Sequence, residues 1–152
     1  MGEFENKRVL VTGGSRGIGL GIAKFFAAEG AWVAVCGRKD ANLQKAKEEA
    51  GSLLTYQANL SKSEDVENLF INVRSEFGGL DLLVNNVGMN IFTPSTAEAD
   101  VGLWEKIIDS NLKATFMCSR LAFSLMRERG GSIINISSTA AHRSAPGMGI
   151  YG

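Results

Sequence analysis

A glycine-rich turn near the amino terminus constrains the fold of this chain more than any other feature. A short apolar run at residues 9–11 is followed by glycines at the spacing Gly-x-x-x-Gly-x-Gly, and a helical pattern begins there. Glycine lets the backbone approach a phosphate closely, and a helix amino terminus offers free N–H groups and a positive dipole end. The turn therefore predicts a nucleotide-binding strand–turn–helix unit. Its candidate contacts are Gly13, Ser15, Arg16, Gly17, Ile18 and Gly19.

Two other interpretations of this turn were weighed. Gly14 and Gly19 have the glycine spacing of a P-loop, but Leu20 and Gly21 stand where a P-loop has lysine and serine or threonine. The same glycines could also serve only a tight crossing between a strand and a helix, without any ligand. Nucleotide binding is favoured because a strand precedes the turn and a helix follows it, as the phosphate-binding arrangement requires.

Short apolar segments alternate along the chain with longer segments of helical spacing. Buried parallel strands are predicted at residues 9–11, 32–36, 53–58, 80–84 and 133–136, because these runs are short and apolar on both faces. This alternation predicts an α/β fold with a doubly wound parallel sheet of five strands. Glycine is frequent, at 18 residues of 152, but proline occurs only twice, so the glycines indicate close backbone contacts and not disorder.

Three helices are predicted between the strands. Gly30 is a plausible end for the first, Asp40 a cap for the second, which runs to about Ala50, and Ser61 or Ser63 a cap for the third. The apolar stripe of the first helix consists of Ile18, Ile22, Phe25 and Phe26. The buried stripe of the third consists of Val66, Leu69, Phe70 and Val73.

A fourth and longer helical stretch is predicted over residues 100–129, where two glycines end it. Its buried stripe steps by three or four residues and consists of Ile107, Asn111, Ala114, Cys118, Leu121 and Leu125. Asn111 is therefore a polar residue on an apolar face, and a buried amide without partners costs roughly 1–3 kcal/mol. From the residues alone, an ordinary core asparagine bonded to backbone and a functional asparagine remain equally open.

Size and composition narrow the function classes. With 152 residues the chain has the size of one domain, residues 1–152. Lys plus Arg and Asp plus Glu both number 16, and this zero net charge argues against binding to nucleic acid or a membrane surface. No apolar run suits a transmembrane helix, and no apolar signal core is present. Cys36, Cys118 and the single His142 form no metal or disulfide pattern, so a metal-free, cytoplasmic protein is expected.

The end of the second predicted strand bears on the choice of dinucleotide. An acidic residue there would accept hydrogen bonds from a ribose 2′-hydroxyl and favour NAD(H). This chain instead has Arg38 and Lys39 after Cys36-Gly37, and Arg16 adds a third positive charge in the glycine turn. A guanidinium suits a phosphate, so NADP(H) is favoured over NAD(H). The alternative is a solvated pair of surface charges.

Five motifs in order give the chain a resemblance to the short-chain dehydrogenase/reductase family, over nearly all of its length. They are Thr12-Gly13-x-x-x-Gly17-x-Gly19, Asn85-Asn86-Val87-Gly88, Asn111, Ile136-Ser137-Ser138 and Tyr151. Val87 replaces the alanine usual in the second motif. Tyr151 lies 13 residues beyond Ser138, a spacing common in the family, so Ser138 is preferred to Ser137. In general character the chain is similar to tropinone-reductase-like and 3-oxoacyl-reductase-like members.

This resemblance implies a Rossmann-type fold and hydride transfer between NADP(H) and a small-molecule carbonyl or alcohol substrate. It implies that Ser138 hydrogen-bonds the substrate oxygen, that Tyr151 gives or takes the proton and that Asn111 holds a water relay. It adds further cofactor contacts, with Asn59 standing where members often carry an aspartate near the adenine. These contacts are Asn59, Leu60, Asn86, Val87 and Gly88. On position alone, Ser138 could equally be a capping serine.

The chain departs from the family pattern at its carboxyl end. The family lysine four residues after the tyrosine would lie past Gly152, as would later strands and helices, so the fold is expected to be incomplete at that end. A strand at residues 132–137 would then form an apolar edge that invites pairing. Homo-oligomerisation is expected through this edge or through the helix at residues 100–129. The alternative function is a non-catalytic nucleotide-binding or assembly module.

Overall fold

The computed structural model describes residues 2–93, 95–143 and 146–152. These residues form a five-stranded, fully parallel sheet in the order β3-β2-β1-β4-β5. The predicted α/β fold with a doubly wound parallel sheet is confirmed. The strands are β1 (Arg8–Thr12), β2 (Trp32–Gly37), β3 (Leu54–Gln57), β4 (Leu82–Asn85) and β5 (Ser132–Asn135).

Helices connect the strands and cover both faces of the sheet. The α-helices are α1 (Gly17–Ala28), α2 (Asp40–Ala50), α3 (Ser63–Phe77), α4 (Val101–Ile108) and α5 (Ala114–Met126). A π-helical segment at Asp109–Lys113 joins α4 to α5 without a break, and short 3₁₀ turns lie at Thr96–Glu98 and Thr139–Ala141. The predicted long helix is therefore present, but its hydrogen-bond ladder is rearranged around Asn111.

Alternate side chains of the strands pack into two separate hydrophobic cores, one on each face of the sheet. Leu10 of β1 packs with α3 and α5 on one face of the sheet. Val9 and Val11 point to the other face and pack with α1 and α2. This follows from the two-residue period of a strand, because both faces of a doubly wound sheet must be apolar. The predicted stripe of α3 is confirmed, since Val66, Leu69, Phe70 and Val73 are all buried.

The predicted stripe of α1 is wrong in part. Ile18 and Phe25 are exposed, at 70% and 55%, while Gly19, Ala23 and Phe26 face the sheet. Toward its amino end the helix lies close to the sheet, so the small residues Gly19 and Ala23 occupy the inner face there and Ile18 is directed away. Helical spacing alone could not separate these two faces.

The predicted helix caps are also corrected in part. Asp40 and Ser63 are the first helical residues of α2 and α3, and neither cap position makes a side-chain hydrogen bond. Asp100 does cap α4, because its carboxylate accepts a hydrogen bond from the Leu103 amide at 2.8 Å. Gly30 follows α1 with a φ of +86°, a left-handed conformation that glycine adopts readily.

Strand β5 forms one edge of the sheet and is exposed along its whole length. Its pairing with β4 is supported by side chains as well as by backbone. The Asn85 amide donates hydrogen bonds to Asn135 on β5, at 2.9 Å, and to Ser119 on α5, at 3.0 Å. The strand is therefore held in register although its outer edge has no neighbour among the described residues.

Candidate functional site

A cleft of about 700 Å³ lies where the carboxyl ends of β1 to β4 meet the loops that follow them. Ligands bind at this edge in open α/β sheets, because loops and helix amino termini converge there. All twelve predicted cofactor contacts line this one cleft. They are Gly13, Ser15, Arg16, Gly17, Ile18, Gly19, Arg38, Asn59, Leu60, Asn86, Val87 and Gly88. The structure thus brings the set together, and their role as cofactor contacts stays a prediction.

Two glycines of the turn are required for different physical reasons. Gly17 has a φ of +55°, which side-chain-bearing residues rarely adopt. Gly19 lies on the first turn of α1, where a Cβ atom would collide with the Gly13 carbonyl and the Asn86 side chain. The helix therefore approaches the end of β1 more closely than any larger residue would permit.

The turn is fastened to the end of β4 by side-chain hydrogen bonds. The buried Thr12 hydroxyl accepts hydrogen bonds from the backbone amides of Asn86, at 2.9 Å, and Val87, at 3.1 Å. In return the Asn86 side chain donates to the backbone carbonyls of Thr12, at 3.0 Å, and Gly13, at 3.3 Å. Asn86 therefore borders the cleft mainly as the residue that holds the two strand ends together.

The amino terminus of α1 is the electropositive end of the cleft. Its first turn carries no acidic residue, whereas α2 has Asp40 there and α3 has Glu64 and Asp65. A carboxylate near a helix amino terminus satisfies the positive dipole end, so its absence from α1 leaves that position for a ligand anion. Arg16 precedes the helix in extended backbone conformation and its side chain is exposed.

The loop after β2 adds further positive charge. Arg38 and Lys39 are both exposed and both line the cleft. The Arg38 backbone is held by the Gln57 side chain, whose amide donates to its carbonyl at 3.0 Å. The expectation that no acid stands at the end of β2 agrees with the lining of the cleft, where the described residues include no carboxylate.

Asn59 supports the loop after β3 in addition to lining the cleft. Its backbone amide donates to the Asp65 carboxylate at 2.8 Å, and its side-chain oxygen accepts from the Ser61 amide at 3.3 Å. A second cavity of about 420 Å³ lies beyond it and shares Arg38, Ala58 and Asn59 with the cleft. Asp65 faces this second cavity.

Asn111 is bonded to backbone through both ends of its side-chain amide. Its nitrogen donates to the Met89 carbonyl and its oxygen accepts from the Met89 amide, both at 2.8 Å. The Thr115 hydroxyl donates to the Asn111 carbonyl at 2.9 Å, within the π-helical region. The half-buried amide of Asn111 thus finds its hydrogen-bond partners in the backbone of the loop after β4. The structure shows this positioning role, and a water relay at Asn111 stays a prediction.

The two remaining catalytic candidates lie outside the described lining of the cleft. Ser138 caps the 3₁₀ turn after β5, where its hydroxyl oxygen accepts from the Ala140 amide at 3.2 Å. Tyr151 is half-buried in the last turn. The segment that carries it returns to the loop after β4, because the Thr93 amide donates to the Gly147 carbonyl at 2.9 Å.

Several residues of the cleft were not predicted from the sequence. Lys106 and Ser110 come from α4 and the π segment, and Asn42 from the first turns of α2. The remaining unpredicted residues are Cys36, Gly37, Ala58, Ser61 and Met89. Lys39, expected from the sequence as a positive charge beside Arg38, also lines the cleft. A usable signal existed for Lys106 and Ser110, because they lie four residues apart on one helical face just before Asn111.

Both cysteines are buried in the hydrophobic core of this structure. Burial raises the pKa of the Cys36 thiol to about 11, against an opposing hydrogen bond with the Gly13 backbone. Burial, with a smaller contribution from the neighbouring Cys36, raises the pKa of Cys118 to about 12. Both thiols are therefore protonated near neutral pH and are weak nucleophiles.

The chain is similar to known dehydrogenases and reductases. A family model described as short chain dehydrogenase matches residues 7–152. A 3beta-hydroxysteroid dehydrogenase of Mediterraneibacter gnavus is 37% identical over 99% of this chain and 56% of its own length. A 3-oxoacyl-(acyl-carrier-protein) reductase of Staphylococcus epidermidis is 37% identical over 96% of this chain and 62% of its own.

A solved structure shows the same arrangement of elements. The crystal structure of a short-chain alcohol dehydrogenase from Sinorhizobium meliloti, as its description names it, superposes with a TM-score of 0.90 at 34% identity. The match covers 97% of this chain and 60% of that one. The chain thus spans somewhat more than half the length of the relatives it matches. Within the described residues, no helix combines the length and apolar character that crossing a membrane requires.

Proposed function

Because the chain belongs to the short-chain dehydrogenase family, we propose that it binds NADP(H) and serves hydride transfer between that cofactor and a small carbonyl or alcohol substrate. The named relatives are dehydrogenases and reductases, which favours an oxidoreductase over a non-catalytic binding or assembly module. The observation that supports cofactor binding best is the single cleft at the carboxyl edge of the sheet. It joins the glycine turn, an acid-free helix amino terminus and cationic side chains.

Each part of the cleft suits one part of a dinucleotide. The amino terminus of α1 and the backbone at Gly17 would hold the pyrophosphate. Asn59 and Leu60 would border the adenine. The residues that follow β4 would border the rest of the cofactor, namely Asn86, Val87 and Gly88. The apolar Ile18 is exposed on this rim, and contact with a bound cofactor would remove its surface from water.

The preference for NADP(H) rests on the loop after β2. Arg38 and Lys39 line the cleft from the position where an NAD(H)-selective site would carry an acid, and Arg16 lies in the adjoining turn. Charge-assisted hydrogen bonds from a guanidinium to a phosphate are among the stronger polar contacts in proteins. The 2′-phosphate is the only group that distinguishes NADP(H) from NAD(H), so these residues would carry the discrimination.

The chemistry at the substrate is proposed for Ser138 and Tyr151, with Asn111 in support. The cofactor supplies or accepts the hydride. The hydroxyl of Ser138 uses an oxygen lone pair to cap its turn and keeps its proton available to donate to a substrate oxygen. Tyr151 would exchange the proton of the alcohol. Asn111 holds the loop at Met89, next to the cofactor contact Gly88.

Several accompanying proposals concern the molecule as a whole. Residues 1–152 are proposed to form one dinucleotide-binding domain, without metal, nucleic-acid or membrane partners. The cytoplasm is proposed as its location, in keeping with two free, buried cysteines. Self-association is proposed through the edge of β5 or the helical stretch at residues 100–129. That stretch exposes large apolar side chains at Val101, Trp104, Leu112, Phe116 and Phe123.

Cofactor binding is tested by fluorescence titration of the chain with NADPH and with NADH, with circular dichroism as the check of folding. We expect saturable binding of both and tighter binding of NADPH. Arg38→Gln should weaken NADPH by about tenfold and NADH by less than about twofold, because only the contact to the 2′-phosphate is lost. A folded chain that binds neither dinucleotide would contradict the proposal.

The catalytic assignment is tested in the protein that carries this sequence. Ser138→Ala should remove most carbonyl reduction, by a factor of about 10² or more, since a transition-state hydrogen bond is lost. NADPH affinity should remain within about twofold, because Ser138 does not line the cleft. Ser137→Ala is the matched control and should retain turnover. Equal activity of the two variants would exclude the assigned role of Ser138.

A further inference from the structure

The charges that line the cleft are all of one sign. Among the described residues four cations line it, namely Arg16, Arg38, Lys39 and Lys106, and no carboxylate does. The adjoining smaller cavity differs, because Asp65 is part of its wall. A concentration of cations without acids raises the local potential and favours an anionic ligand.

The four cations belong to two opposite walls. Helices α1 and α2 cover one face of the sheet, and Arg16, Arg38 and Lys39 lie in the loops that lead into them. Helices α3 and α5 cover the other face, and α4 continues into α5 through the π segment. Lys106 lies on α4 and therefore reaches the cleft from the second wall, across from the other three cations.

Lys106 lies on the face of its helix that is directed toward the cleft. It lies one turn before Ser110, and both line the cleft, so this face of the helix is directed inward. Asp109, the acid three residues further on, forms its ion pair with Lys113 at 3.1 Å. The three ion pairs found among the described residues do not include Lys106.

The backbone of this region has a fixed position relative to the cleft. Asn111 follows Ser110 directly, and both ends of its amide are bonded to Met89, a cleft residue after β4, at 2.8 Å. The helix that carries Lys106 is therefore fastened to the floor of the cleft through a short side chain. Because the helix is already held, only the lysine side chain has to be ordered when an anion binds.

We propose that Lys106 binds the dinucleotide from the wall opposite Arg38 and contacts phosphate groups that NADPH and NADH share. The proposal rests on the proposed cofactor-binding function. Arg38 and Lys106 then have separable tasks. Arg38 selects the cofactor through the 2′-phosphate, whereas Lys106 raises affinity for both cofactors without selecting between them.

The test measures Kd for NADPH and for NADH in Lys106→Gln, Arg38→Gln and Lys113→Gln, by fluorescence titration of the chain. Lys106→Gln should raise both values by about threefold to tenfold and leave their ratio within about twofold of wild type. Lys113→Gln removes a charge from the same helical stretch, but Lys113 is paired with Asp109 and is not among the described cleft residues. It should change neither value by more than about 1.5-fold.

Each outcome decides between the two proposals. Wild-type chain that is folded and binds neither dinucleotide overturns the proposed function itself. Wild-type binding with unchanged affinities in Lys106→Gln overturns the role of Lys106 and leaves the function standing. A loss confined to NADPH would assign Lys106 to the 2′-phosphate and refute its contact with the shared groups. An equal loss of affinity in Lys113→Gln would show that the effect comes from the net charge of the helical stretch, and it would also refute a contact of Lys106 with the phosphates.

Discussion

The two ends of the same parallel sheet show opposite uses of charge. At the amino end, Arg8 of β1 and Asp81, just before β4, form a largely buried pair with Nε–Oδ2 and Nη2–Oδ1 distances of 2.7 and 2.8 Å. At the carboxyl end, four cations line an open cleft that the described residues leave without a carboxylate. Charge is neutralised within the protein at one end and remains available to a ligand at the other.

Backbone groups at the two ends of the sheet differ in the same way as the charged side chains. At the amino end, the Arg8 and Asp81 backbones bond to each other, because the Asp81 amide donates to the Arg8 carbonyl at 2.9 Å. The Arg8 amide also donates to the Asp81 carboxylate at 2.9 Å. At the carboxyl end, the acid-free first turn of α1 faces the cleft. An internal ion pair therefore joins the sheet where its strands begin, whereas the cations where the strands end remain available to a ligand.

The largest expected effect on stability comes from breaking the Arg8–Asp81 ion pair. Asp81→Asn should lower the free energy of unfolding by about 2–4 kcal/mol, because it leaves the nearly buried Arg8 guanidinium without its counter-charge. Chemical denaturation measures this change. Glu49→Gln, which removes the exposed ion pair of Lys24 and Glu49, is the matched control and should cost less than about 1 kcal/mol.

Acid should reduce the difference between wild type and Asp81→Asn. The hydrogen bonds from Arg8 hold the pKa of the Asp81 carboxyl below its ordinary value. Its stabilising effect is therefore complete above about pH 4, the ordinary aspartate pKa, and is lost as the pH falls through the lower pKa of the folded state. A difference in stability between wild type and Asp81→Asn that stayed constant from neutral pH into this acid range would show that the Arg8–Asp81 pair does not stabilise the fold through its charges.

A smaller change in stability, but a severe one in binding, is expected at the opposite end. In Gly19→Ala the new Cβ would meet the Gly13 carbonyl and the Asn86 amide, which fasten the turn. The helix must shift, at a cost of about 1–3 kcal/mol, and NADPH affinity should fall by more than about tenfold as its amino terminus moves. Denaturation and fluorescence titration measure the two effects.

Gly21→Ala is the matched control for the turn. A Cβ at Gly21 meets nothing within 4 Å, and the residue lies inside the same helix. Alanine should therefore raise stability by about 0.5–1 kcal/mol and leave NADPH affinity unchanged. If both alanine variants bound NADPH normally, the close approach of α1 to the end of β1 would have no part in binding. The proposed link between the carboxyl end of the sheet and NADPH would then lose this support.

Local sequence patterns were sufficient for most of the architecture and for part of the lining of the cleft. Strand positions follow from short apolar runs and helix positions from a period of 3.6 residues, and both patterns depend only on near neighbours. The contacts predicted from the glycine turn needed nothing more. Those at Asn59 and Asn86 followed from matching family motifs, and they line the same cleft because parallel strands end at one edge.

Other features could not be read from the sequence. Ile18 and Phe26 have equivalent places in the helical pattern, yet Ile18 is exposed and Phe26 is buried, because the distance of α1 from the sheet decides between them. The sequence places Asn111 on an apolar face without indicating a partner, and the structure shows that Met89, 22 residues away, binds both ends of its amide.

The amino-acid sequence is enough to establish the α/β class, the glycine turn and the cations after β2, because these depend on propensities and contacts within a few residues. The three-dimensional fold is needed to show that Lys106 and Arg38 line one cleft and that Arg8 is paired with Asp81, 73 residues away. Such pairings depend on the strand order and on which face of the sheet each helix covers. These follow from burying both faces of the whole sheet at once, a condition that no local pattern contains.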